Sequence, residues 1–578
     1  MKKTIWIFMT YMFAVAVLPS CKKTEDQPRD LYTYDLTFDP QDQNAVLAQR
    51  FLNGLYNFLP TGFNRISGDF LDVATDDAVS IISNSPISYY TNGVISVGNN
   101  PDAYFGNSYN GIRQVNIFLA NIDKIPVPAA NPNRTLGFKA EARFIRAFLY
   151  FELLKRYGGI PLIGDKVFTL DDNLQLPRNT YAQCVDYIAS ECTAIKDFLY
   201  LDNIADVNVG RIVKGAAIAL KCRLYLYAAS PLFNGGGVEA DATLKALTGY
   251  PTADATRWQK VIDAYTEFAA LPAYYGLVQS GTAGYRSVFI NKKNIEVILA
   301  KQIVNTSDLE NLNSPVGYNG GSTASAGRTN PTQDFVDAFT TINGKPISTD
   351  LRTPTNDRGF DAANPYANRD PRFDATVFYN GSRWLNRAVE TFEGGRDKPN
   401  NTSGNQTRTG YYLRKFLGDF TNSTAYSTQS HNFVYFRYAE IILNYAEALN
   451  EISSGNTELA VQQIILLRRR AGILVGDGRY GIKVGINQDE MRELIRNERR
   501  IELSFEEQRF WDLRRWKTAN TVLNKTLSAI KITKNPDASL SYQVIPLTTI
   551  TFQDRLYHLP LPYDETVRNA NLVQNFGW

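Results

Sequence analysis

The chain has 578 residues, and its 61 Lys and Arg against 58 Asp and Glu leave a net charge of only +3. With no single basic run, it lacks the electrostatic footprint of a nucleic-acid-binding protein. Four cysteines in such a length exclude a fold stapled by disulfides, and two isolated histidines, His431 and His558, give no reason to expect zinc and read as structural or surface residues.

The chain opens with Lys2 and Lys3, an apolar stretch from Ile5 to Leu18, and then Leu18-Pro19-Ser20-Cys21, the layout of a cleaved export signal. The stretch falls short of the roughly 20 apolar residues that span a bilayer, and no later run supplies them. The tetrapeptide resembles a lipobox, with Pro19 departing from the usual small residue. Residues 1–20 are therefore expected to be a signal peptide and Cys21 the lipidated, membrane-anchoring residue. Lys22, Lys23, Glu25 and Asp26 follow directly, so 21–45 reads as a flexible tether, with folding expected from near Ala45.

Helical patterns then come in blocks. Lys139 to Tyr157 is so rich in Phe, Leu, Ile and Tyr that it should be a central helix buried on most sides, ended by Gly158-Gly159 and Pro161. Further helices are expected over Tyr181–Leu199, Ile212–Ala229, Trp258–Ala270 and Thr457–Ala471. Tyr438, Ile441, Ile442, Tyr445, Ala446 and Leu449 repeat as one buried helix face. Trp258, Trp511 and Trp516 belong with the core. Cys184 and Cys192 share a helix about 12 Å apart, beyond a bridge; either has only Cys222 as a partner, and three buried thiols is the favoured reading.

Gln488 to Lys517 reads as one long helix. Arg499 with Glu502, Glu506 with Arg509 and Asp512 with Arg515 are three apart, as in a solvated helix laced by ion pairs. Between the blocks, residues 76–110, 272–345 and 376–430 are rich in Asn, Ser, Thr, Gly and Tyr, too long for simple connectors, and long loops on a rigid scaffold carry function.

Several segments, in order, resemble the SusD/RagB family of outer-membrane nutrient-binding lipoproteins. They include EARFIRAFLYFELLKRYGGIPL from Glu141, KGAAIALKCRLYLYAASP from Lys214, RDPRF from Arg369, FRYAEIILNYAEALNE from Phe436, and LLRRRAG ending at Gly472. RNERRIELSFEEQRFWDLRRWK from Arg496, LPLPYDE from Leu559 and the terminal NLVQNFGW complete the series. Cys222 stands where Ala is common and Glu507 where Gly is usual. The resemblance implies a mostly α fold, tetratricopeptide-like helix pairs carrying large irregular excursions, with 46–578 as a single body made of an N-terminal part (about 46–230) and a C-terminal part (about 285–578).

It also implies a non-catalytic protein on the extracellular face of the outer membrane, a lid over a SusC-like TonB-dependent transporter that delivers captured glycan, with no cofactor. The sequence holds no H-E-x-x-H, G-x-S-x-G or G-x-x-x-x-G-K-[ST]. Sugar binding asks for aromatic faces ringed by amides and charges. The loops offer Tyr89 and Tyr90, Tyr318 and Asn319 beside Gly320-Gly321, and Trp384 with Arg383 and Asn386. Capture of peptides, a surface glycoside hydrolase and a ligand-free helical scaffold are the competing readings.

Overall fold

The computed structural model describes residues 34–279, 281–304, 306–318, 327–400 and 406–578. Helices hold 44% of the chain and strands 12%, so the helical scaffold expected from the sequence is the fold. No described helix is long and apolar enough to cross a membrane.

The N-terminal part contains α1 (Val46–Leu55), α2 (Phe105–Asn121), α3 (Arg134–Tyr157), α4 (Tyr181–Ile195), α5 (Lys214–Ala229) and α6 (Arg257–Ala269). Helix α3 packs against α1, α2, α4 and α5, and every residue from Phe144 to Tyr157 is buried. Gly158 ends it at φ +76°, where a Cβ would meet the Leu247 carbonyl oxygen at 2.6 Å. The glycine is thus required by both backbone angle and space. A capping box between Thr180 and Gln183 starts α4, giving two of its orphan N–H groups reciprocal partners.

The C-terminal part carries α7 (Tyr438–Ile452), α8 (Thr457–Ala471), α9 (Gln488–Glu502) and α10 (Arg509–Arg515). Helix α7 packs on α8 and α9 and also reaches back to α5 and α6. Its periodic face is buried through Ile441, Ile442, Ala446 and Leu449, each large side chain contributing about 1.5–3 kcal/mol. Half-exposed Tyr445 instead stacks on Tyr265 of α6, ring centres 3.7 Å apart.

The strands form antiparallel two-stranded ladders: β1 (Ala78–Ser80) with β3 (Thr329–Pro331), β2 (Val297–Ile303) with β8 (His431–Arg437), and β4 (Val377–Phe378) with β7 (Tyr412–Leu413). The other two are β5 (Arg383–Trp384) with β6 (Arg387–Ala388), and β9 (Thr526–Lys534) with β10 (Leu540–Thr549). Ladder β1–β3 joins the two parts of the chain; the main hydrophobic core runs from Phe38 to Leu572, and a second cluster gathers between α7, α8 and α9. The three loop-like segments therefore contain short strands and helices of their own.

Three expectations need correction. The tether ends sooner than residue 45: Tyr34–Thr37 is a short helix, and Phe38 is fully buried against Phe51 and Phe118. The long helix over Gln488–Lys517 is broken after Glu502, because Phe505 and Glu507 take φ of +58° and +60°. There the Phe505 N–H donates to Asp72, and Glu507 pairs with Arg65 at 2.5 Å.

The charges from Arg499 onward are also not a solvated face, although the start of α9 is one, with Arg492 on Asp489 and Arg496 on Glu493. Arg499, Glu502, Asp512 and Arg515 are all at most 2% exposed. Glu502 receives Arg372, Arg437 and Arg470, while Arg499 turns to Asp512 at 3.0 Å. Glu506 pairs with Lys415 and Arg437, and Arg509 with Asp76; of the three pairs expected, Asp512 with Arg515 is the one that forms, at 2.7 Å. Cys184, Cys192 and Cys222 are buried free thiols, and Trp258, Trp511 and Trp516 lie in the core.

Candidate functional site

The tight β5–β6 hairpin places Arg387 beside the turn Val316–Tyr318. A buried carboxylate holds the two together. Asp397, 0% exposed, accepts from Arg387 Nη1 at 2.7 Å and Nη2 at 3.0 Å, from the Gly317 N–H at 3.1 Å, and from the Glu390 N–H at 2.8 Å. The guanidinium carbon then lies 3.7 Å from the centre of the Tyr318 ring, within reach of a cation–π contact.

The Tyr318 hydroxyl donates to the Arg387 carbonyl at 2.9 Å. Burial, the largest influence, pushes the phenol above its ordinary range, so it remains a hydrogen-bond donor at neutral pH. Gly317 is required here: a Cβ would sit 2.6 Å from the Arg396 carbonyl oxygen and 2.7 Å from Arg387 Nη2. The result is a half-exposed ring and a fixed planar cation forming one shelf.

Neighbouring segments brace the shelf. The Tyr412 hydroxyl donates to the Asp397 carbonyl at 2.6 Å. Arg408 donates through its backbone N–H to Asn330 and through its side chain to the Ser80 carbonyl, and Ile81 N–H donates to the Arg328 carbonyl. Arg328 in turn pairs with buried Asp69 at 2.9 Å. Residues distant in sequence, on β1, β3 and β7, thus support one surface.

The residues singled out in the sequence divide. Tyr318 forms the shelf, while Arg383 and Asn386 are exposed on the hairpin, with Arg383 paired to Ala388 rather than to Arg387. Trp384 does not present a face: it is 3% exposed, packs against Phe378 and Phe420, and donates from Nε1 to the Tyr426 hydroxyl at 3.3 Å. Tyr90 is likewise core, 2% exposed, with its ring edge on Phe510 and its hydroxyl donating to Asn100. Both expected aromatic platforms are corrected to packing residues: Trp384 takes the inward place that alternates with exposed Arg383 on its strand, and Tyr90, at the end of a short turn, is covered by Phe510. Tyr89 is half-buried on the same turn as Tyr90, which runs on to a backbone bond between Thr91 and Thr551. Asn319 and Cys21 lie outside the described residues.

Arg387 and Asp397 were not anticipated. The hairpin spacing carried a signal for Arg387, since a two-residue turn after Trp384 returns it to the same ladder; nothing in the sequence marked Asp397. Chemically, the shelf can stack a sugar's C–H face and donate hydrogen bonds to its hydroxyls. Asp397, holding four donors, has no free lone pair for general acid or base work. His431 is buried with Nε2 2.8 Å from Glu310, and among the described residues no three His, Cys, Asp or Glu side chains cluster as a metal site.

Residues 295–578 match the family described as SusD family, and residues 32–226 match the one described as Starch-binding associating with outer membrane. SusD-like protein P2 of Formosa agariphila is 25% identical over 98% of both chains. A SusD-like protein of Bacteroides fragilis superposes with a TM-score of 0.76 at 28% identity, over 93% of this chain and 98% of that one. A SusD-like carbohydrate binding protein of the same organism gives 0.69 at 22% identity, over 92% and 99%. The matches span both parts of the chain and both elements that build the shelf, and the protein belongs to the SusD/RagB family.

Proposed function

We propose that this protein is a glycan-binding surface lipoprotein that captures an oligo- or polysaccharide and passes it, as a lid, to a SusC-like TonB-dependent outer-membrane transporter. The observation that carries the reading is the Tyr318–Arg387 shelf, a half-exposed ring and a planar cation fixed by Asp397, with Nε and one Nη2 hydrogen uncommitted among the described residues. The description of the family that residues 32–226 match, starch-binding and associated with the outer membrane, supports the ligand class and the location. In this reading Cys21 carries the lipid and the body faces the outside of the cell, and the protein binds its ligand without cleaving it.

Each aromatic contact contributes about 0.5–1.5 kcal/mol, so a few contacts with their hydrogen bonds give roughly millimolar to micromolar affinity. That range suits a protein that must release what it captures. A glycan array probed beside a peptide library tests the ligand class: binding of glycans that falls for Arg387→Ala supports the reading, whereas binding confined to peptides replaces the sugar with a peptide. Release of reducing ends from a bound polysaccharide would establish a hydrolase instead. Copurification of the transporter with the lipidated chain tests the partner.

A further inference from the structure

A second concave surface lies away from the shelf and shares none of its residues. It runs between the 202–211 loop and β2 as two adjoining lobes of about 460 and 300 Å³, which share walls formed by Val209–Arg211 on one side and Leu299, Ala300 and Gln302 on the other. Both lobes fall within the about 300–1,000 Å³ typical of ligand pockets. We propose that this cleft is a second ligand site, one that takes an oligosaccharide bearing a carboxylate or sulfate group. It rests on the glycan reading above and extends it to a second surface and a narrower ligand class.

Charge comes first. The walls hold Arg211, Lys292, Lys293 and Lys301 against a single acid, Asp202. Asp202 is turned towards its own end of the cleft, where its Oδ1 accepts from the Tyr275 hydroxyl and the Gly215 N–H. Two of the cations are also spoken for, Lys293 by Asp206 at 2.8 Å and Arg211 by Glu141 at 3.3 Å. Lys301 donates only to the Thr61 hydroxyl at 2.9 Å and has no carboxylate partner among the described residues, so a half-buried ammonium faces the cleft uncompensated. An anionic substituent supplies the missing charge, and hydrogen bonds between charged groups are stronger than those between neutral ones.

Hydrogen-bonding capacity points to a sugar. Beside Lys301, the buried Gln302 Oε1 accepts from no protein group. It needs a donor, and a sugar hydroxyl is one that can also accept from the neighbouring Lys301 ammonium. Buried polar atoms are ordinarily paired. The Tyr56 hydroxyl on the same wall is held in place by Glu141 and the Ile212 N–H, and Val207 at the rim is 91% exposed, giving apolar surface for ring C–H groups.

The test is titration calorimetry on the intact folded chain with three hexasaccharides: an oligogalacturonate, its carboxyl-reduced neutral counterpart, and a sulfated galactan. We expect the anionic probes to bind more tightly than the neutral one, and Lys301→Gln to weaken them about tenfold while Lys301→Arg restores most of the affinity. Tyr318→Ala should leave this anion-specific component in place. Equal binding of neutral and anionic probes, or anionic binding unchanged in Lys301→Gln, overturns the cleft assignment. If neutral glycan then still binds in a Tyr318-dependent manner, the glycan reading survives alone; if no glycan of any charge binds the parent protein, both fall. The uronate and sulfate arms decide which anion the site takes.

Discussion

The Tyr318 ring and the Arg387 guanidinium are stacked at 3.7 Å, and both depend on one carboxylate: Asp397 binds Arg387 through two nitrogens and fixes the Gly317 N–H next to Tyr318. Removing the ring should therefore cost ligand contact without disturbing the fold. Tyr318→Ala is expected to lower glycan affinity by about 0.5–1.5 kcal/mol, roughly twofold to tenfold, with an unchanged far-ultraviolet circular dichroism spectrum. Unaltered affinity would remove the shelf from the binding surface.

Trp384 makes the opposite prediction although it lies on the same hairpin. Its ring is buried against Phe378 and Phe420, so Trp384→Ala should destabilise the fold by about 3–5 kcal/mol. Neighbouring Arg383 is exposed, and Arg383→Ala should stay within about 0.5 kcal/mol. Denaturant midpoints of the two variants check this; a Trp384→Ala protein as stable as the parent would contradict the packing described.

Why some of this could be read from sequence and some could not is clear from these residues. Helix α3 was legible because an apolar run met Gly158-Gly159, and local signals of that kind need no knowledge of the rest of the chain. Tyr89 and Tyr90 are adjacent with the same composition around them, yet one is half-buried and one is core, a distinction set by where Phe510 arrives. Phe38 was missed because polar neighbours disguised it. The charges of α9 and α10 show the same limit: spacing identifies helix neighbours, but Glu502 is claimed by Arg372, Arg437 and Arg470 from other segments.

That convergence makes Glu502 sensitive to substitution. Its pKa lies well below the usual carboxylate range: burial works against the charge, but Arg470, Arg437 and Arg372 together outweigh it. Glu502→Gln removes the charge and leaves three buried guanidinia with too few acids, a loss of about 3–5 kcal/mol by analogy with broken buried pairs. Thermal unfolding measures it, and the loss should persist at high salt, since a buried network is poorly screened.

His558 provides a pH signature. Burial pushes its pKa down to about 4, with nearby Glu239 opposing and Arg178 reinforcing the shift. Unfolded histidine titrates near 6.5, so between pH 6.5 and 4 the unfolded chain binds the extra proton. The stabilisation from keeping this imidazole neutral is complete above pH 6.5 and is lost as pH falls towards 4, about 3 kcal/mol in all. Relative to the parent, His558→Gln should therefore show a smaller fall in stability over that window, measured by urea unfolding at pH 7 and pH 4.5. Parallel curves for the two proteins would contradict the shift.

Glu507 separates a backbone cost from a side-chain gain. Its φ of +60° is a conformation that glycine adopts freely and other residues adopt at roughly 1 kcal/mol or more. Here the glutamate forms a two-point pair with Arg65, at 2.5 Å to Nε and 3.0 Å to Nη2, while Asp102 holds the other side of the same guanidinium. Glu507→Ala loses the pair and keeps the strain; Glu507→Gly loses the pair and sheds the strain. Both should be less stable than the parent, because Arg65 is largely buried and would keep only one acid, but the Gly variant should be the more stable of the two by about 1 kcal/mol. Equal stability of the Ala and Gly variants would mean that the left-handed turn carries no cost, and that the break between α9 and α10 is held by the Phe505 bond to Asp72 alone.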